Sequence, residues 1–289
     1  MQAAEEEEDP SRGWIDAHSH IWTRDLAHYP LVGNQTVDDL KPPSFTADEL
    51  LAIARPLGVS RVVLIQHHIY HGFDNSYMID ETAKRPRTFR IVGMVDETKP
   101  HPDVRMRELL KKHVTGFRIT PWIRPAHWLD SPGMQAMWRC AAETGQSMCC
   151  LIDAKNLEEV DQACRRFPDT PVVIDHFARI GVDGQIRDDD VARLCALVKH
   201  PNVRLKLSAF YALGRKRPPY DDLRPMVRRV YETFGPRRLM WASDAPYQNE
   251  PPNSYAASLE FARSWDFLSS DDREWVMRKT AEATFFFDA

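Results

Sequence analysis

The chain of 289 residues carries 38 Lys+Arg against 42 Asp+Glu, a net charge of −4, and 43% hydrophobic residues. That length holds two average domains or one large α/β barrel with an ample core, and the composition excludes wholesale disorder and fibrous repeats. So neutral a balance leaves no electrostatic footprint for nucleic acid, and no run reaches the roughly 18 apolar residues of a membrane span.

In chain order, residues 1–12 open with Glu5-Glu-Glu-Glu-Asp9 and read as a solvated, disordered tail, too acidic for a signal or transit peptide. β-rich runs then recur at 14–18, 61–66, 89–95, 115–119, 147–152, 172–175, 203–208 and 239–243. Segments with helical spacing alternate with them at 47–56, 76–84, 103–113, 133–144, 157–167, 189–199, 223–234 and from Ser254 onward. Eight strand–helix units predict a single-domain (β/α)8 TIM barrel over 13–289. An open doubly wound sheet is the alternative, but no G-x-G-x-x-G or G-x-x-x-x-G-K-[ST] follows any strand. Residues 22–45, 121–132 and 214–219 are expected as loops. The cysteines, at 140, 149, 150, 164 and 195, are odd in number and lack any C-x-x-C. They read as buried free thiols in a reducing cytoplasm rather than as disulfides.

Alternation along two strands puts cations on the inner face. Leu205 and Leu207 share one side and Lys206 the other; Phe117 and Ile119 likewise oppose Arg118. A cation directed into a barrel is costly without an anion. Arg118 and Lys206 are therefore expected to contact substrate, an anionic or polyhydroxylated small molecule, rather than merely to fill interior layers.

Asp16-Ala-His-Ser-His20 closes the first strand. His18 and His20, two apart, project to one face, and neutral imidazoles suit a borderline metal. Asp16, of the same parity one layer deeper, is placed to orient an imidazole. His176 ends the sixth strand and Asp244 the eighth, which neighbours the first in a closed barrel, so the four groups should meet at the C-terminal mouth. Three imidazoles and a carboxylate suit one divalent metal, or a base with electrophilic helpers. The bland alternative for any one of them is an independent capping role.

These residues carry a family resemblance. Asp16-Ala-His-Ser-His20, His71-Gly-Phe-Asp-Asn75, Gly116-Phe-Arg118, Asp175-His176, Lys206-Leu-Ser208 and Phe234-Gly-Pro-Arg-Arg-Leu-Met-Trp-Ala-Ser-Asp-Ala-Pro246 span nearly the whole chain. In that order they resemble the amidohydrolase superfamily, and more narrowly its branch of 2-pyrone-4,6-dicarboxylate lactonase and L-fucono-lactonase. The resemblance implies a barrel that hydrolyses a small cyclic ester. It implies His18, His20, His176 and Asp244 as the core of the site, Asp244 as the activator of water, and Arg118 and His71 as substrate-binding or carbonyl-polarising groups. The three histidines and Asp244 could hold one divalent metal, Zn²⁺, in a mononuclear site with an open position; metal-free catalysis by the same groups is the alternative.

One departure from the family pattern bears on the metal. Metal-bearing members usually carry a further histidine ending strand five, where this chain has Ser147-Met-Cys-Cys-Leu-Ile-Asp153, and no lysine ends strand four. A binuclear site is therefore not expected. A metal-dependent decarboxylase of an aromatic or unsaturated acid on the same fold is the second reading, and a barrel that only binds is the third. Trp122, Arg124 and His127 follow strand four and are expected as a wall or lid, with Trp122 and Arg124 touching substrate and Arg124 binding its carboxylate or hydroxyl groups; loop packing is the alternative. Tyr211 and Tyr247 are expected to offer hydroxyls to substrate. Of His67, His68 and His71 the resemblance favours only His71, with one of the other two packing against a helix.

Overall fold

The β-branched and aliphatic runs form eight parallel strands that pair in chain order. They are β1 (Trp14–Ser19), β2 (Val59–Ile65), β3 (Phe89–Gly93), β4 (Val114–Ile119), β5 (Ser147–Cys150), β6 (Val172–Ile174), β7 (Val203–Leu207) and β8 (Leu239–Trp241). Ser19 bridges Ala245, and the Asp244 and His20 N–H groups donate to the His18 and Ala245 carbonyls at 2.8 Å each. The last strand thus meets the first, and the architecture is the (β/α)8 barrel expected, in one domain. This computed structural model describes residues 10–287, so the disordered tail expected over 1–12 lies, for residues 1–9, outside the described residues. Ser60 donates to the Pro10 carbonyl at 2.6 Å.

Helices α1 (Ala47–Ala54), α2 (His68–His71), α3 (Ser76–Lys84), α4 (Pro102–Leu110), α5 (Pro132–Thr144), α6 (Leu157–Arg166), α7 (Asp188–Cys195), α8 (Arg224–Phe234) and α9 (Tyr255–Arg263) lie along the chain between and after the strands. The chain finishes with α10 (Ser270–Glu274) and α11 (Thr280–Phe285). Several starts are written in local chemistry. At α1 the Glu49 N–H donates to Thr46 Oγ1 and the Thr46 N–H to Glu49 Oε2, a reciprocal cap. Pro102 and Pro132, whose missing N–H is no loss in a first turn, open α4 and α5. None of the described helices is long and apolar enough to cross a membrane, and the five cysteines are free.

Two apolar layers hold the barrel. The larger lies between sheet and helices and includes Trp138, Trp241, Trp265, Phe89 and Phe117, all fully buried. The smaller fills the barrel itself with Ile15, Ala17, Val63, Ile65, Val92, Cys149, Val173, Met240 and Ala242, joined by Ala281 and Phe285 of α11. Arg61 and Arg90, from the starts of β2 and β3, stack on the Phe286 ring at 4.9 and 5.1 Å, so the C-terminus closes the end opposite the mouth.

Strand β1 departs from regular alternation. Asp16 pairs with Val62 but Ser19 with Leu64, so β1 carries one extra residue, a bulge that reverses side-chain parity. Ile15 and Ala17 before it and His18 after it all face the interior, and Asp16 turns the other way. Asp16 therefore does not orient an imidazole. It accepts from the His18 N–H (3.0 Å), Ser19 Oγ (3.0 Å), the Ser243 N–H (2.8 Å), Ser243 Oγ and the Tyr255 hydroxyl (3.0 Å), fastening β1 to the end of β8 and to α9. The Asp16→Ala substitution strands these buried donors. Urea unfolding should record a loss of about 3 kcal/mol or more; a change below about 1 kcal/mol would mean that the seam is held by something else.

Candidate active site

The strand ends open into a cavity of about 230 Å³ whose lining includes His20, Arg118, His176, Asp244, Tyr211 and Tyr247. Asp244, 5% exposed, lies among three imidazoles. Its Oδ1 is 3.3 Å from His20 Nε2 and 3.4 Å from His18 Nε2, its Oδ2 is 3.8 Å from His176 Nε2, and Tyr211 donates its hydroxyl proton to Oδ2 at 2.8 Å. Each ring is held from behind. His20 Nδ1–H donates to the Ile65 carbonyl at 2.8 Å, His176 Nδ1 pairs with Ser208 Oγ at 2.8 Å, and His18 Nδ1 lies 3.2 Å from Lys206 Nζ.

The backbone is strained where it aims these groups. Asp244 has φ 65°, and His176, Phe177, Ala178 and Arg179 have φ of 51, 54, 52 and 54°. That is one turn of left-handed helix without a glycine, at roughly 1–2 kcal/mol per residue. It buries Phe177 and Ala178 completely while His176 and Arg179 line the cavity. The Arg179 guanidinium stacks 4.4 Å from the Trp122 ring centre and donates to Asp153 at 2.7 Å, joining three mouth loops. On the far rim the Tyr247 hydroxyl is hydrogen-bonded to His67 Nε2.

Burial dominates the protonation states. It pushes His18 and His20 well below the usual imidazole range and lowers His176, so all three rings are neutral near pH 7. Burial also raises the Asp244 carboxyl, against the opposing pull of His176, Arg118 and Tyr211. Asp175 goes the other way: burial alone would raise it, but Lys206, His18 and Arg118 outweigh burial and hold it well below the ordinary carboxylate range.

A neutral His20 that donates through Nδ1 has a lone pair on Nε2, facing a carboxylate oxygen at 3.3 Å. Two acceptors so close call for a proton or a cation between them. His18, His176 and Asp244 offer ligand atoms within 4.8 Å of one another, so the donor set fits a divalent ion. Arg118 already brings one positive charge here, with Nη2 2.9 Å from His18 Nε2.

His18, His20, His176, Asp244, Arg118, Trp122, Tyr211 and Tyr247 are thus brought together, and four expected contributors, His71, Lys206, Arg124 and His127, are not. His71 is outside the lining and turns its Nδ1 to the Pro30 carbonyl at 3.3 Å; His67 and His68 line the cavity instead, because the chain bends into α2 where strand alternation was assumed. Lys206 lies wholly buried beside Asp175, at 3.1 Å, and does not line the cavity. Arg124 grips both oxygens of Glu97 at 2.8 Å and the Thr120 carbonyl at 3.0 Å. It borders a separate hollow of about 790 Å³ that also takes in His127 and none of the four convergent groups. Asp175, Arg179, His67 and His68 were missed. The signal for Asp175 was present, since two interior cations required an anion and Asp175 adjoins His176.

The family described as amidohydrolase matches residues 15–287. The chain is similar to an L-fucono-1,5-lactonase of Burkholderia ambifaria, 27% identical over 239 residues that cover 80% of each chain. It is also similar to a 4-sulfomuconolactone hydrolase of Rhizobium radiobacter, 25% identical over 240 residues, 82% of this chain and 77% of the relative. A solved amidohydrolase from Burkholderia multivorans with bound zinc shares the fold at a TM-score of 0.78 and 22% identity, over 95% of this chain and 99% of that one.

With side-chain exposures of 2% and 7%, Arg124 and Glu97 form a buried pair. Arg124→Met should lower the unfolding free energy by about 3–5 kcal/mol. KM for a substrate should move less than about threefold, and a tenfold rise would return Arg124 to substrate binding.

Proposed function

The chain belongs to the amidohydrolase family, and from that premise we propose that it is a hydrolase that opens a small lactone by attack of water at the barrel mouth, with Asp244 as the base. The observation that carries this reading is the Asp244 carboxylate, buried at the base of a cavity, facing three neutral imidazoles and steadied by Tyr211. Two relatives named for the hydrolysis of lactones support the same reaction class.

In the mechanism, Asp244 takes a proton from water as the water oxygen bonds to the ring carbonyl carbon. Tyr211, donating to Oδ2, leaves Oδ1 for that proton, on the side where His18 and His20 stand. The carbonyl electron pair moves onto its oxygen, and the Arg118 guanidinium balances the new charge. The ring C–O bond then breaks, the carbonyl re-forms, and Asp244 returns its proton to the leaving alkoxide, releasing a hydroxy acid. A cavity near 230 Å³ suits one small ring. Arg118 and Arg179 in its wall suit an anionic or hydroxyl-rich one. His18, His176 and Asp244, with His20 beside them, would hold a divalent ion such as Zn²⁺, which would polarise a carbonyl and acidify water. The decarboxylase reading gains no residue, because Cys149 and Cys150 end β5 where that reading calls for a histidine.

Asp244→Asn should cut kcat on a lactone by about 10³-fold with an unchanged circular dichroism spectrum. A folded variant with wild-type turnover would sink the assignment. Protein purified without chelator should carry about one Zn²⁺ per chain, read by elemental analysis. Activity that survives complete removal of metal would assign the electrophilic role to Arg118 and the histidines alone.

A further inference from the structure

Lys206 has no part in the mechanism above, and its surroundings are unlike those of a barrel filler. It sits on β7 with no exposed surface and does not border the cavity. Its Nζ lies 3.1 Å from Asp175 Oδ1 and 3.2 Å from His18 Nδ1. Asp175, equally buried, sets its other oxygen 3.5 Å from Arg118 Nη2, the same atom that lies 2.9 Å from His18 Nε2. One carboxylate therefore holds two cations, one at each nitrogen of His18. The four groups come from β1, β4, the end of β6 and β7, so the strut crosses the barrel. Phe285 of α11 adds its ring 5.4 Å from Nζ, and the ammonium is enclosed by an anion, an imidazole and an aromatic face.

An ammonium without water is expensive, and a methionine would fill the same interior at no such cost. We infer that Lys206, acting through Asp175, is a positioning residue that fixes the His18 ring and the Arg118 guanidinium against Asp244. Without Lys206 the Asp175 carboxylate retains one close cation, Arg118, and draws it away from His18 Nε2 and from the cavity. His18 then loses its nearer contact at Nδ1, keeps there only Asp175 Oδ1 at 3.7 Å, and its Nε2 shifts from its approach to Asp244. The effect on turnover is indirect, since neither Lys206 nor Asp175 reaches the cavity.

The test pairs a crystal structure of Lys206→Met with its kinetics on a lactone that the wild type opens. The expected result is a His18 ring or Arg118 guanidinium displaced by about 1 Å or more, and a kcat lower by about 10- to 100-fold with KM within about threefold. A double variant, Lys206→Met with Asp175→Asn, leaves no half of the pair buried alone and serves if the single variant does not fold. It should be no more than about threefold slower than Lys206→Met, because residues that act as a unit are not additive. His18 and Arg118 unmoved, wild-type kcat, or losses that multiply in the double variant would each overturn the inference. The kinetic arm rests on the lactone-hydrolase reading and the crystallographic arm does not. A wild type that opens no lactone therefore sinks that reading, while the crystal structure still decides the positioning role.

Discussion

Asp175, Lys206 and His18 have no exposed surface in the middle of this barrel, so a charge placed there calls for an opposite one from another side chain. Asp175 meets that constraint. It draws Lys206 and Arg118 inward from strands on either side and sets them at opposite nitrogens of His18. With the imidazoles neutral, two carboxylates stand against two cations, Asp175 and Asp244 against Lys206 and Arg118. A balanced interior of this kind admits an uncharged ester group easily. It also leaves the Arg118 guanidinium in the cavity wall, where the proposed hydrolysis would use it.

The groups nearest the cavity are held by backbone that would not persist on its own. The left-handed turn at His176–Arg179 stays closed because Phe177 and Ala178 are wedged into the core, while the residues at its two ends reach outward to Ser208 and to Trp122 and Asp153. Packing of the apolar pair compensates the strain of the polar pair. The outcome is a rigid rather than adaptive placement of His176. The same logic applies to Tyr211, whose hydroxyl is committed to one oxygen of Asp244 and leaves the other for the proton transfer proposed above.

The strand–helix alternation was legible because aliphatic runs and helical periods are local, and so was the meeting of His18, His20, His176 and Asp244, since each ends a strand. Strand ends were read too long. Val95, Leu151 and Ile152 look like strand residues, but the ladder stops at Gly93 and Cys150 as the chain bends toward the mouth. The partner of Arg124 could not be read, because Glu97 belongs to another loop 27 residues earlier. The need for an anion beside Lys206 and Arg118 was visible, yet the substrate was credited with a charge that Asp175 supplies. Asp16 was assigned by strict alternation, and a bulge of one residue leaves no mark in composition.

That bulge decides more than one side chain. With regular pairing, the parity that buries Ile15 and Ala17 would carry His18 and His20 outward among the helices. The histidine pair therefore depends on strand register as much as on residue identity. Pairing β1 straight through, without the bulge, would keep a plausible strand, with both imidazoles still in the sequence, and empty the mouth of them. Drift by substitution can retune this mouth gradually. A slip of register at its first strand is all or none, because it turns both imidazoles at once.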